Sequence, residues 1–335
     1  MKLPVRYLAL LPALAPMLAA ADGEAYRYYL AGNPGDVRTE TRGLIVMQGG
    51  GDDVDENYRR MGEFAGGGDF VVLRASRADE YNDYVLALCG CDSVETIVFE
   101  AREAAFDDFV VETIREAEAL FIAGGDQSRY VRFFKDTPVE TAINELAARP
   151  APIGGTSAGM AILGEFAYSA MSSASATSAA ALADPYMADV TLERSFLRLP
   201  MLAGILTDQH LLERDRLGRT IVFLARLLAD GWTDRGRAIA ADRETALHID
   251  PATGLATVYA TDTHETPYVW FVEARNRPEV CRPGVPLTFG GITVQRLGPG
   301  GRFDLGSWHS RDAERYELEV TDGAVSSTRG SAYGP

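Results

Sequence analysis

Ile153-Gly154-Gly155-Thr156-Ser157-Ala158-Gly159-Met160-Ala161-Ile162-Leu163-Gly164 is the stretch on which the fold turns. An apolar entry runs into Gly155-Thr156-Ser157-Ala158-Gly159, which fits G-x-S-x-G, and an apolar, Ala-rich run follows. The sequence predicts a strand, a tight turn and a helix start, the setting of an exposed serine nucleophile. A serine on so sharp a turn needs neighbours with almost no side chain, and Gly155, Ala158 and Gly159 meet that need. A helix start behind the serine aims N–H groups and the positive dipole end at any oxyanion formed there. Taken alone, the pentapeptide is equally a glycine-rich turn with an incidental serine. The rest of the chain has to decide.

Upstream, apolar runs bounded by glycine alternate with helical patterns. Gly43 to Gly51, Asp69 to Leu73, Ser93 to Phe99 and Ala119 to Gly125 read as strands. Asp55 to Ala65, Asp79 to Leu88, Asp107 to Ala119 and Thr137 to Ala148 read as helices. Such alternation predicts an α/β fold with a mostly parallel central sheet and helices on both faces. Functional groups then gather at the carboxyl ends of the strands, where Gly49 to Asp52, Gly124 to Gln127 and Ser157 all lie. No glycine turn fits a dinucleotide or P-loop pattern. Ser169 to Ala183 carries no charge and reads as a loop or weak helix close to the serine. After the helix Arg219 to Leu228 the chain becomes β-rich. The expected divisions are residues 1–21, 22–275 as the α/β domain, and 276–335 as a β-rich extension packed on it.

The formal net charge of −16 disfavours nucleic acid as a partner. Lys2 and Arg6, an apolar Tyr7 to Leu18 and Ala19-Ala20-Ala21 read as a signal peptide cleaved near Ala21. Export to the periplasm or outside is therefore expected, with no stable membrane insertion after cleavage. Of three cysteines, Cys281 could bridge either Cys89 or Cys91, and Cys89-Gly90-Cys91 is a poor metal site. No metal or cofactor is expected.

Ser157 needs a base, and the chain has four histidines. His309 and His264 fall in turn-like stretches, and His248 alternates with apolar residues in a strand. His210 differs. It lies in Thr207-Asp208-Gln209-His210-Leu211-Leu212-Glu213-Arg214-Asp215-Arg216-Leu217-Gly218-Arg219, where a base adjoins an acid, an amide and three arginines. By itself this is equally a solvated helix start with Asp208 as its cap. Beside a serine elbow it points to a site for an acidic or amide-rich substrate. Gly124-Gly125-Asp126-Gln127 could turn a backbone N–H toward the serine as a second oxyanion donor alongside that of Ala158.

The blocks G-G-D-Q, G-T-S-A-G and D-Q-H-x-x-x-R-x-R-L-G-R, with a later D-x-x-T-A, occur here in order. Together the set resembles the cyanophycinase-like serine peptidases. The resemblance implies a class I glutamine-amidotransferase-like α/β fold, a Ser-His-Glu triad and, as partner, a second copy in a homodimer. On matching positions Ser157 would be the nucleophile, His210 the base, and the Asp126 and Ala158 N–H groups the oxyanion hole. Gln127, Asp208, Gln209, Arg214, Arg216 and Arg219 would bind substrate. The family substrate is cyanophycin, polyaspartate with arginine on each side-chain carboxyl, cut to β-Asp-Arg. One block departs: Ala241-Asp242-Arg243-Glu244-Thr245-Ala246 has Arg243 where the family has its Glu. Glu244 is the expected third member, with Asp242 or an acid from elsewhere as alternatives. A peptidase for other β-linked or Asp-containing peptides and a non-catalytic peptide-binding protein remain the competing readings. An α/β-hydrolase esterase is disfavoured, because its acid precedes its histidine.

Overall fold

A computed structural model describes residues 25–76, 81–172, 174–263 and 267–334. The expected signal segment lies outside them, as does His264. The first sheet has nine strands, ordered Tyr26–Gly32, Ser93–Phe99, Asp69–Arg74, Ala119–Ile122, Pro152–Thr156, Leu44–Gln48, Thr245–Ile249, Leu255–Ala260 and Arg302–Asp304. The five from Ser93–Phe99 to Leu44–Gln48 are mutually parallel, and the outer pairings are antiparallel. This is the parallel sheet that the alternating pattern predicts. Its strands read as unbroken apolar runs because both faces are covered. In Leu44–Gln48, Leu44 and Val46 pack toward the helices Asp55–Phe64 and Asn82–Cys89, while Ile45 and Met47 face the opposite side.

A second sheet takes in most of the β-rich C-terminal part together with earlier strands. Its order is Ala324–Ser327, Glu314–Thr321, Val285–Leu297, Val269–Ala274, Gly236–Ala241, Ile205–Gln209, Phe166–Tyr168 and Leu192–Arg194, with Val280–Arg282 paired to the long strand. Ile45, Met47 and Leu247 of the first sheet share one core with Ile239, Phe271 and Leu297 of the second. The outer face of the second sheet is closed by the helix Leu217–Ala229. This arrangement matters for the site, because Ile205–Gln209 runs parallel to both its neighbours and delivers His210 at its carboxyl end. His210 therefore ends a strand and does not start a helix.

Two local questions that the sequence leaves open are answered. Cys89 bridges Cys91 and Cys281 is free, so the bridge that Cys281 could have made to either is not formed. In the uncharged stretch Ser169 to Ala183, the described residues before Ser178 are loop, and Ser178–Ala183 is helical and capped by Thr177 Oγ1.

Residues 276–335 are woven into the core. They supply the strand beside Val269–Ala274, and they place Leu297, Phe303, Leu305 and Trp308 in the core between the sheets. Each such side chain contributes roughly 1.5–3 kcal/mol by burial, so four together rival the about 5–15 kcal/mol that holds a typical domain folded. A chain ending at Arg275 should therefore fail to fold. Circular dichroism and solubility check this, and a soluble, cooperatively melting truncation would contradict it.

Candidate functional site

The site forms where the two sheets bring their strand ends together. Ser157 follows Pro152–Thr156 with φ 50° and ψ −114°, a strained backbone for a residue with a side chain. The turn closes only because Gly159 lacks a Cβ, which would sit 1.9 Å from the Ile122 carbonyl oxygen. His210 follows Ile205–Gln209, also at φ 50°. Ser157 Oγ lies 3.0 Å from His210 Nε2.

The end of the strand Leu44–Gln48 holds these pieces together. The Ser157 N–H donates to the Gln48 carbonyl at 2.9 Å, and the His210 N–H donates to the Gly49 carbonyl at 3.0 Å. Gly50 (φ 103°) passes directly under the imidazole, and a Cβ there would lie 2.2 Å from Nε2. The glycine turn at Gly49 to Gly51, placed by the sequence at a strand end, is thus a seat for the histidine.

On the far side of the ring, His210 Nδ1 lies 3.0 Å from Glu213 Oε1. Glu244 was expected at this position, and here the structure corrects the sequence reading. Glu244 occupies a left-handed turn (φ 56°) before Thr245–Ile249, where its carboxylate takes Arg243 Nη2 and, at 3.2 Å, Thr261 Oγ1. Asp242 serves otherwise too: buried, it accepts from Leu212 N at 2.9 Å and from Trp270 Nε1 at 3.2 Å. Sequence reading passed over Glu213, although it was inside the quoted motif. The available signal was its spacing, since residues three apart in a tight turn share one side.

With a carboxylate at Nδ1, the ring carries its proton there and presents a lone pair to Ser157 at Nε2. Burial pushes the His210 pKa down to about 4, with Arg214 and Arg216 adding to it and Glu213 opposing. The imidazole is thus neutral, and fit to accept a proton, across the ordinary pH range. Of the other described histidines, His248 is buried against Asn57 at 2.7 Å, and His309 pairs through its backbone with Asp304.

Two cavities meet at Ser157. One, of about 470 Å³, is lined by Gln127, Gln209, Arg132, Arg214, Arg216, Ser172 and Ser175. Four of the six predicted binding residues, Gln127, Gln209, Arg214 and Arg216, thus line it. Asp208 and Arg219 do not. They are 1% and 0% exposed and form a buried pair, with Arg219 Nε 3.0 Å from Asp208 Oδ2. Thr220 Oγ1 and the Gln209 N–H complete the Asp208 carboxylate, which the guanidinium holds below its usual range against burial. Arg219 Nη1 also reaches Ser175 Oγ at 3.2 Å, so the pair underpins the cavity wall. The second cavity, of about 500 Å³, is lined by Asp52, Asp53, Arg74, Tyr81, Tyr84 and the Gly124–Gly125 turn. That turn abuts the serine: a Cβ on Gly124 would be 3.3 Å from Ser157 Cβ. Asp126 caps the helix Gln127–Phe134 through Ser128 N, and Ala158 opens the short helix behind Ser157. No group of side chains among the described residues has the makings of a metal site.

A serine-histidine pair at the strand ends of an α/β fold defines a class, and comparison with known proteins narrows it to peptidases. The model of peptidase family S51 matches residues 75–183, a span that includes Ser157 and stops short of His210. A cyanophycinase of Geminocystis herdmanii is 26% identical over 196 residues, covering 55% of this chain and 68% of its own. One of Thermosynechococcus vestitus is 28% identical over 192 residues, covering 54% of this chain and 56% of its own. The matched segment thus spans little more than half of the second relative. The crystal structure of a peptidase from an acI-B1 Actinobacterium shares the fold, with a TM-score of 0.54 at 15% identity, over 79% of this chain and 98% of that one. Over residues 75–183 the chain is thus similar to peptidase family S51, and the curated relatives it resembles are cyanophycinases.

The seat under the imidazole gives a direct check. Gly50→Ala should leave the far-ultraviolet dichroism intact and slow covalent labelling of Ser157 by a fluorophosphonate by about tenfold or more, because the ring must move away from Oγ. Labelling at the wild-type rate would contradict the seat.

Proposed function

We propose that the protein is a serine-type peptidase that hydrolyses cyanophycin, releasing β-Asp-Arg dipeptides through an acyl-enzyme on Ser157. The observation that carries this is the 3.0 Å approach of Ser157 Oγ to His210 Nε2 where two charged cavities meet, one with three arginines and one with two aspartates and an arginine. Ser157 Oγ attacks the scissile carbonyl carbon while its proton passes to His210 Nε2. The resulting oxyanion is met by the N–H groups of Asp126 and Ala158. The C–N bond then breaks, and His210 returns the proton to the leaving amine. Water, deprotonated by the same nitrogen, attacks the ester carbonyl, and Ser157 leaves with the proton back on its oxygen.

The two cavities suit a chain that carries both charges. Arg132, Arg214 and Arg216 present guanidinium groups to carboxylates on one side of the serine. Asp52 and Asp53 offer carboxylates to a guanidinium on the other. Burial raises the Asp53 pKa to about 6, with bonds from Tyr58, Tyr81 and Gln48 opposing. Cation capture should therefore weaken below that pH, while the His210 base survives to about pH 4.

The test is hydrolysis of purified cyanophycin by the protein lacking residues 1–21, with products identified by mass. The expected result is β-Asp-Arg release, reduced about 10⁴-fold or more in Ser157→Ala. With it, KM should rise below pH 6 before kcat falls near pH 4. Absence of release, with Ser157 still open to labelling, would move the substrate to another β-linked or Asp-containing peptide. Absence of both would leave a peptide-binding protein.

A further inference from the structure

The turn after His210 contains an acid whose surroundings are built for one purpose. Glu213 stands three residues past the histidine, with its side chain 30% exposed, and Oε1 lies 3.0 Å from Nδ1. Two arginines hold the same carboxylate. Arg214 Nε is 3.3 Å from Oε1, and Arg243 Nε is 3.7 Å from Oε2. Arg243 comes from a separate turn, between Gly236–Ala241 and Thr245–Ile249, and it also pairs with Glu244. The backbone of the Glu213 turn is pinned separately, because Leu212 N donates to the buried Asp242 carboxylate at 2.9 Å. A carboxylate in partial contact with water has many rotamers to choose from. Here opposed cations and a fixed turn select the one that faces the imidazole.

We propose that Glu213 is the carboxylate that orients His210, and that Arg243 is a positioning residue that fixes Glu213 from a neighbouring turn. The inference rests on the serine mechanism above. It assigns the acid to the turn that carries the base itself, and it turns position 243, where the related peptidases have their acid, into the clamp. Glu213 takes the Nδ1–H hydrogen bond in the resting state. It stabilises the imidazolium formed when Nε2 accepts the Ser157 proton, without taking up that proton itself. Arg243 acts through Glu213 and does not touch the ring. Glu244, paired with Arg243, lies one step further out.

The experiment measures the second-order rate of Ser157 phosphonylation by a fluorophosphonate across pH, on the full mature chain. This readout does not depend on the natural substrate. Glu213→Gln should slow labelling by about 10²- to 10⁴-fold, since an amide at Nδ1 can donate and so favours the tautomer with its proton on Nε2. Glu213→Asp should recover part of that loss. Arg243→Gln should cost about tenfold and Glu244→Gln less than that, as effects passed through one more contact. The acid limb of the rate profile should move to lower pH in Glu213→Gln, because the group that favours the imidazolium is gone. A merely structural Glu213 would change melting temperature without moving that limb. Wild-type labelling with Glu213→Gln at the same rate and limb would overturn the assignment and leave the serine mechanism standing. A large loss in Glu244→Gln with Glu213→Gln unaffected would hand the role to Glu244. A wild type that reacts no faster than Ser157→Ala would overturn the serine mechanism and this inference with it.

Discussion

Three backbone carbonyls in a row form the constraint on which the site depends. Gln48 takes the Ser157 N–H, Gly49 takes the His210 N–H, and Gly50 takes the Glu244 N–H. The serine ends a strand of the first sheet, and the histidine ends a strand of the second. Nothing in either sheet alone would hold Oγ and Nε2 at hydrogen-bonding distance. The strand end at Gln48 does so because its carbonyls point to both, and because Gly50 leaves room for the ring. Buried backbone groups require partners, so these bonds are as costly to break as they are specific. The Ser157–His210 geometry is thus tied to main-chain hydrogen bonds, which hold it more rigidly than side-chain contacts on mobile loops would.

Much of this was legible in the chain. The glycine-bounded apolar runs gave the parallel strands, because strands covered on both faces cannot show polar alternation. The G-x-S-x-G spacing gave the elbow, and its glycines are where any Cβ would collide with neighbouring backbone. His210 stood out by its neighbours. What stayed hidden was long-range. The second sheet joins strands as far apart as Phe166–Tyr168 and Val285–Leu297, and no local pattern encodes that pairing. The resemblance implies that Asp208 and Arg219 line the cleft, and charged side chains are rarely buried. Only the tertiary fold shows them closing on one another. Glu244 was the natural guess from sequence order. The choice between it and Glu213 depends on which way two turns face, which the chain does not announce.

The buried Asp208–Arg219 pair and the cleft arginines divide the work within one motif. A buried ion pair contributes little net stability, but removing one partner costs about 3–5 kcal/mol. Its position beneath Gln209 and against Ser175 therefore fixes the cavity wall and leaves Arg214 and Arg216 to meet solvent and ligand. Burial and neighbouring cations lower the Arg216 pKa to about 10, which still leaves it charged at neutral pH. The same cations lower the affinity of His210 for a proton. The cleft arginines and the proton affinity of His210 are therefore coupled electrostatically, and a change made to either is felt by the other.

The central claim is that Ser157 becomes acylated with help from His210. Acid-quenched intact-mass spectrometry during turnover of cyanophycin tests it most directly. The account predicts a covalent adduct of the mass of an acyl fragment, mapped by peptide digestion to Ser157, present in the wild type and missing from His210→Ala. Turnover that continues with no adduct on Ser157, or an adduct on another residue, would contradict it.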